Sequence, residues 1–382
     1  MLQLRHSWPV IGLFMSCSAL ASAPKVAVDI APVHSLVAQV MEGVGQPDLL
    51  IRPEASPHDY SLKPSEARAL SQADIVFWMS EGLTPWLEKP LDTLASKAVK
   101  VEMLEVAGTT TYEFREGATF EAHDHHDEEG HHDDEGHHAE HKDDHHDDDH
   151  HKDEHHKKDE HHAKHKDDHH EKDGHHDDDH HDKKGHHEKE GHHAKHDDDH
   201  HGDGHEGHNH EGEDPHAWLD PVNAKVWVKK ISEELIEHDP KNKAAYESNT
   251  EKTLARLDRI IANIDQETKK LDKVNFIVFH DAYQYFERRF GVEASGAISI
   301  GDAQDPSPAR VAEIRDLVKK LNITCVFSEP QYNPGLINSV FEGTSVKNIG
   351  VMDPLGANIG TGKDQYEKLL DSMVNSLVGC SS

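Results

Sequence analysis

Short apolar runs alternate with stretches of helical period at both ends of this chain. Residues 25–30 (KVAVDI), 49–51, 74–79 (DIVFWM) and 99–104 (VKVEML) are brief and nearly all apolar, the signature of strands buried on both faces. Between them 32–43, opened by Pro32 and closed by Gly43, 63–73 and a kinked 84–95 read as helices. The second half repeats the alternation, with strands over 275–279, 292–298, 323–327 and 346–352 and helices over 281–290, 307–321, 334–343 and 363–378. An amphipathic helix is expected over 222–238. From 241 to 271 the chain places Leu254, Leu257, Ile261 and Ile264 on one helical face. About 30 residues of helix reach about 45 Å, longer than either half needs, so this segment reads as a strut. The pattern predicts an α/β fold of two lobes, each a parallel sheet flanked by helices, joined by one long rigid helix. Ligands of such sheets gather beyond the carboxyl ends of the strands.

The pattern disappears between residues 122 and 213. This segment holds 33 of the 39 His, 34 acidic residues, 11 Lys and no Arg, and its only aliphatic side chains are alanines. It cannot build a core and reads as a disordered, metal-binding insertion. Its His pairs recur too irregularly for a solenoid. A literal G-x-G-x-x-G at Gly202–Gly207 has neither a strand before it nor a helix after it, so it carries no dinucleotide reading. The segment accounts for −23 of the formal charge of −34. The remainder is an ordinary acidic protein without the clustered Lys and Arg that phosphate binding needs, so nucleic acid is not an expected partner.

Residues 1–23 read as a cleaved secretory signal: Arg5, a short apolar run over Val10–Leu20, and small residues at Ala19, Ala21 and Ala23. The run is too short to span a bilayer. Cys17 as a lipid acceptor is the rival reading, weakened by Phe14. Export permits disulfides. Cleavage would leave Cys325 and Cys380, either paired or as two thiols. The expected organisation is a first part of the N-terminal lobe over 24–121, the insertion over 122–213, the rest of that lobe over 214–240, the linking helix over 241–273 and the C-terminal lobe over 274–382.

Six His lie outside the insertion. His6 belongs to the leader, and His34 and His238 read as surface or capping residues. His58 (SPHDYSL), His216 (DPHAWLDP) and His280 (FIVFHDAY) stand in loops or at a strand end. Pro precedes two of them and stiffens their backbone. Asp59, Asp281 and Asp220 stand close in sequence as acceptors for imidazole N–H groups. H-E-x-x-H, the zinc-peptidase helix motif, is absent.

The motifs PHDYSLKPSE, DPHAWLDP, FHDAYQYF, FSEPQ and MDPLG, in this order over nearly the whole mature chain, resemble the periplasmic metal receptors of bacterial ABC transporters. The resemblance is to the zinc (ZnuA-type) branch, His-rich loop included. It implies two α/β lobes with the metal between them, His58, His216 and His280 as zinc ligands, and a Cys325–Cys380 bridge. Manganese relatives carry a carboxylate where His280 stands. Pro57 departs from the Glu often found before the first ligand, which leaves the fourth position to Asp353 or water, with Glu54 and Glu329 as weaker candidates. Three neutral imidazoles plus one oxygen suit four-coordinate Zn2+. Manganese prefers more oxygen. The implied function is capture of zinc, as transported ligand, for a membrane permease, by a monomer that also meets a periplasmic zinc chaperone. A manganese or iron receptor, a zinc-storage or adhesion protein and a zinc hydrolase are the alternatives.

Overall fold

The computed structural model describes residues 23–115, 120, 212–271, 274–299 and 306–381. Nearly all of the leader and of the His-rich segment lies outside them.

Two four-stranded sheets, all parallel, carry the fold. The first contains β1 (Val26–Val28), β2 (Asp48–Leu49), β3 (Ile75–Trp78) and β4 (Val99–Glu102) in the order β2-β1-β3-β4. The second contains β5 (Phe276–His280), β6 (Gly296–Ser299), β7 (Cys325–Ser328) and β8 (Asn348–Val351) in the equivalent order β6-β5-β7-β8. The inner strands are buried along their length, as their unbroken apolar sequence requires. In each sheet the order reverses beside its first strand. That opens a crevice between β1 and β3 and another between β5 and β7, where ligands of open parallel sheets sit.

Helices α1 (Ala31–Val40), α2 (Pro64–Gln72) and α3 (Glu88–Thr93) follow the first strands. The kink expected within 84–95 is a 3-10 turn, Pro85–Leu87, running into α3. Helix α4 (Pro221–His238) starts on Asp220, whose Oδ1 accepts Val222 N–H at 2.8 Å, with Pro221 in the first helical position. Helix α5 (Lys243–Thr268) has 26 residues, about 39 Å of helix. It is shorter than the sequence suggested because Pro240–Asn242 forms a separate 3-10 turn and the helix ends at Thr268. The second lobe adds α6 (Gln284–Phe290), α7 (Pro308–Leu321), α8 (Pro334–Phe341) and α9 (Gln365–Cys380). None of the described helices is long and apolar enough to cross a membrane.

Helix α5 packs against α1 and α4 of the first lobe and against α6 and α9 of the second, so it joins the lobes. Helix α9 shares that role. It lies against α1, where Tyr366 N–H donates to Ser35 Oγ at 3.1 Å and Tyr366 O–H to the Trp218 carbonyl at 2.7 Å. One apolar core therefore runs from β1 and β3 through α5 and α9 to β5 and β7. A smaller one fills the far side of the second sheet around Ile277, Ile298 and Val326. Cys325 on β7 is disulfide-bonded to Cys380 at the end of α9, with Cα atoms 5.8 Å apart.

Candidate metal centre

His280 is the last residue of β5, delivered to the mouth of the second crevice by four buried apolar residues. Glu329 follows β7 directly across that crevice, and its Oε1 accepts from His280 Nδ1 at 2.7 Å. His216 precedes a 3-10 turn, Ala217–Leu219. That turn is pinned by Trp218 Nε1–H donating to the Pro354 carbonyl at 2.8 Å. His216 is held by Asp214, whose Oδ1 accepts from its backbone N–H at 3.0 Å and its Nδ1 at 2.7 Å. His216 and His280 are 3% and 4% exposed, so neither ring is a surface feature. His58 lies in the loop between β2 and α2. Trp86 Nε1–H fixes that loop by donating to the Pro57 carbonyl at 2.7 Å, and Tyr60 O–H closes its base on Glu66.

All three imidazoles line one cavity, together with Glu329, Gln331 and Leu355. The space admits roughly one water-sized particle. An ionised carboxylate only accepts, so Asp214 and Glu329 fix the proton of each ring on Nδ1 and turn the Nε2 lone pair inward. The two Nε2 atoms are 3.4 Å apart. Two lone pairs at that distance repel unless a cation sits between them. Tetrahedral zinc with Zn–N near 2.05 Å would hold its nitrogens about 3.3–3.4 Å apart and the ring centroids about 5.2 Å apart. The centroid of His216 is 5.3 Å from that of His280 and 5.8 Å from that of His58. His58 thus stands slightly wide. Among the described residues no group of three or more His, Cys, Asp or Glu side chains yet converges as a closed metal cluster.

Asp353 is buried beside the cavity, but its carboxylate is occupied. It accepts from Leu355 N–H at 3.0 Å, Gly356 N–H at 2.9 Å, Ala357 N–H and Gln331 Nε2–H at 3.0 Å. Glu54 is exposed.

The sequence neighbours expected to accept from the rings do other work. Asp220 caps α4 and takes Arg289 at 2.8 and 2.6 Å. Asp281 points away from His280, as consecutive residues leaving a strand do. It is paired with Arg115, which also reaches Glu287 at 2.6 Å. Burial pushes Asp281 and Glu287 above the usual carboxylate range, and Arg115 pulls them back. Asp59 is exposed. Asp214 escaped the sequence reading, although Asp-Pro-His offers a local signal in the readiness of Asp to accept from the backbone two residues on. In the sequence Glu329 stands out only as a weaker ligand candidate. His34 is neither surface nor cap but buried, with Nε2 3.0 Å from the Pro47 carbonyl, whereas His238 is an exposed residue at the end of α4.

The chain leading into the His-rich segment meets the end of that segment next to this site. Glu113 and Glu213 form an antiparallel bridge, flanked by Asp214 N–H to the Tyr112 carbonyl at 2.7 Å and Phe114 N–H to the Gly212 carbonyl at 3.2 Å. Helix α6 grips both stretches: Gln284 Nε2–H donates to the Glu113 carbonyl and to Asp214 Oδ2, each at 3.0 Å. Tyr285 O–H donates to the Asp214 carbonyl at 2.7 Å.

Two parallel-sheet lobes with an ion-sized, imidazole-lined cavity between them are the architecture of a receptor for a small solute. The model of the ZnuA family, zinc-uptake complex component A, periplasmic, matches residues 26–380, and the chain belongs to this family. It is 40% identical over 369 residues to the high-affinity zinc uptake system protein ZnuA of Brucella suis biovar 1, covering 97% of this chain and 95% of that one. It is 35% identical over 384 residues to the protein of the same name from Paracoccus denitrificans, covering 99% and 98%. A crystal structure of ZnuA superimposes with a TM-score of 0.63 at 20% identity, over 94% of this chain and 100% of that one.

Proposed function

We infer that this protein is the periplasmic zinc receptor of a high-affinity uptake system. We propose that His58, His216 and His280 hold the ion and that it passes to an ABC-type permease. The observation that carries the ligand assignment is the pair of inward Nε2 atoms 3.4 Å apart, each on a ring whose Nδ1 is committed to a buried carboxylate. That is the spacing of two nitrogens on one tetrahedral ion. Zinc arrives as cargo and supplies the positive charge that two facing lone pairs require. Buried carboxylates behind the rings raise imidazole basicity and hold ring orientation, so little reorganisation opposes binding.

With Asp353 committed to four donors, the fourth position falls to water. Glu329 serves as the partner of His280 rather than as a ligand. Manganese would need more oxygen donors than this set offers.

The test is zinc titration of the mature full-length protein carrying His58→Ala, His216→Ala or His280→Ala, one at a time. Each change is expected to abolish the tightest site while the protein stays folded. Retention of that site at full affinity in any of the three would remove that residue from the ligand set.

A further inference from the structure

We propose that Gln331 is a further member of the metal centre: its amide ties the two lobes together beside the cavity, and its Oε1 accepts a hydrogen bond from the water that completes the zinc coordination. This rests on the three-histidine reading above. Gln331 stands three residues beyond β7. Its Nε2 donates across the cleft to the Pro53 carbonyl at 3.1 Å and within its own lobe to Asp353 Oδ1 at 3.0 Å. Pro53 belongs to the loop that carries His58, so a residue of the second lobe helps set where the ligand of the first lobe stands.

Both partners of Nε2 are pure acceptors, a carbonyl and a carboxylate, and the amide has only two hydrogens. Its orientation is therefore fixed, and a flipped amide would face oxygen with oxygen twice. Oε1 is left pointing away from both. It is buried and has no hydrogen-bond partner among the described residues, on a side chain that lines the cavity. A buried acceptor without a donor is costly, so one retained in a binding site calls for a donor that arrives with the ligand. The three imidazoles cannot supply it once their cavity-facing nitrogens bind metal. A water on a divalent ion can, because the ion polarises its O–H bonds. The same arrangement accounts for Asp353: the carboxylate that could have filled the fourth position instead anchors the amide that holds the water.

The experiment uses the mature full-length protein with Gln331→Met, which keeps the length of the side chain and removes both donor and acceptor. Zinc affinity and dissociation rate are measured against a competing chelator, and the visible spectrum of the cobalt-loaded protein reports the coordination sphere. About a tenfold loss of zinc affinity, faster release and altered cobalt bands are expected. The zinc-free protein should melt only slightly below the parent, because Asp353 keeps three backbone donors and only the Pro53 carbonyl loses its partner. A variant with parental zinc kinetics and cobalt spectrum overturns the proposal. So does one with a markedly lowered melting temperature and a parental spectrum, which would make Gln331 a structural tie alone. Gln331→Ala carries the same expectations and the same overturning outcomes should the Met variant not accumulate. His280→Ala run alongside separates the two readings: a parental cobalt spectrum there would defeat the ligand assignment itself.

Discussion

Glu329→Gln tests how much of the zinc affinity is set behind the ligands. The parent carboxylate accepts from His280 Nδ1 at 2.7 Å in a site where Glu329 is 4% exposed. A hydrogen bond to a charged acceptor contributes about 1.5–3 kcal/mol, against about 1 kcal/mol for a neutral one. The amide is isosteric, so packing is unchanged and the expected loss is about 1–2 kcal/mol, about five- to thirtyfold in zinc affinity. A second effect adds to it. Unlike the carboxylate, the amide can turn its N–H toward Nδ1, which moves the ring proton to Nε2 and blocks the metal. Together these push the loss toward about a hundredfold, the upper end for groups that orient a metal-binding His. The assay is competition with a zinc-binding dye at neutral pH on the mature full-length protein. Asp214→Asn should do the same through His216. Unchanged affinity in Glu329→Gln, with strong loss in His280→Ala, would refute the claim that the carboxylate prepares the ring.

Four further outcomes are expected. His280→Glu should weaken zinc binding and raise manganese binding, read by competitive metal titration, because a hard oxygen replaces a nitrogen. Removing residues 122–211 should leave one tight zinc site and abolish most of the remaining capacity, checked by equilibrium dialysis; Gly212 and Glu213 must stay because they belong to the bridge beside Asp214. Replacing Cys325 and Cys380 by Ser should lower stability in urea unfolding by about 4 kcal/mol, from the chain entropy of a loop with a sequence separation of 55. Burial holds the His34 pKa below its ordinary 6.5. The unfolded chain therefore takes up the proton first, and stability should fall as pH drops below about 6.5 toward the folded pKa; His34→Gln should flatten that slope in pH-dependent urea melts.

The strands and helices were legible because each sheet is covered on both faces, so its strands are apolar without interruption. The three histidines stood out in the sequence by context, His280 ending such a strand and His58 and His216 following prolines in loops, while their reading as one ligand set came from the family resemblance. What orders them was not legible. Glu329 lies 49 residues from the ring it holds, a pairing made only by the adjacency of β5 and β7 in the sheet. Asp353 is a free carboxylate on paper, and only the turn after β8 reveals three backbone N–H groups converging on it. The packing of α9 on α1 was equally hidden, since an amphipathic helix records that it has an apolar face and not what covers it.

The bridge between Glu113 and Glu213 makes the receptor an open socket. Residues paired across antiparallel strands stand about 5 Å apart, so two stretches distant in sequence are joined at one point of the body. A chain spliced in after Phe120, whose N–H donates to the Ser295 carbonyl, and before Gly212 leaves both the bridge and the pairing of Arg115 with Asp281 and Glu287 in place. A foreign domain with adjoining termini, such as a fluorescent reporter, can therefore be seated there in place of the native segment. The stretch after it runs on through Asp214 to His216 within three residues of the bridge, so a shift of that ring on zinc capture would be carried straight to the reporter. The fold thus offers a ready chassis for a zinc sensor.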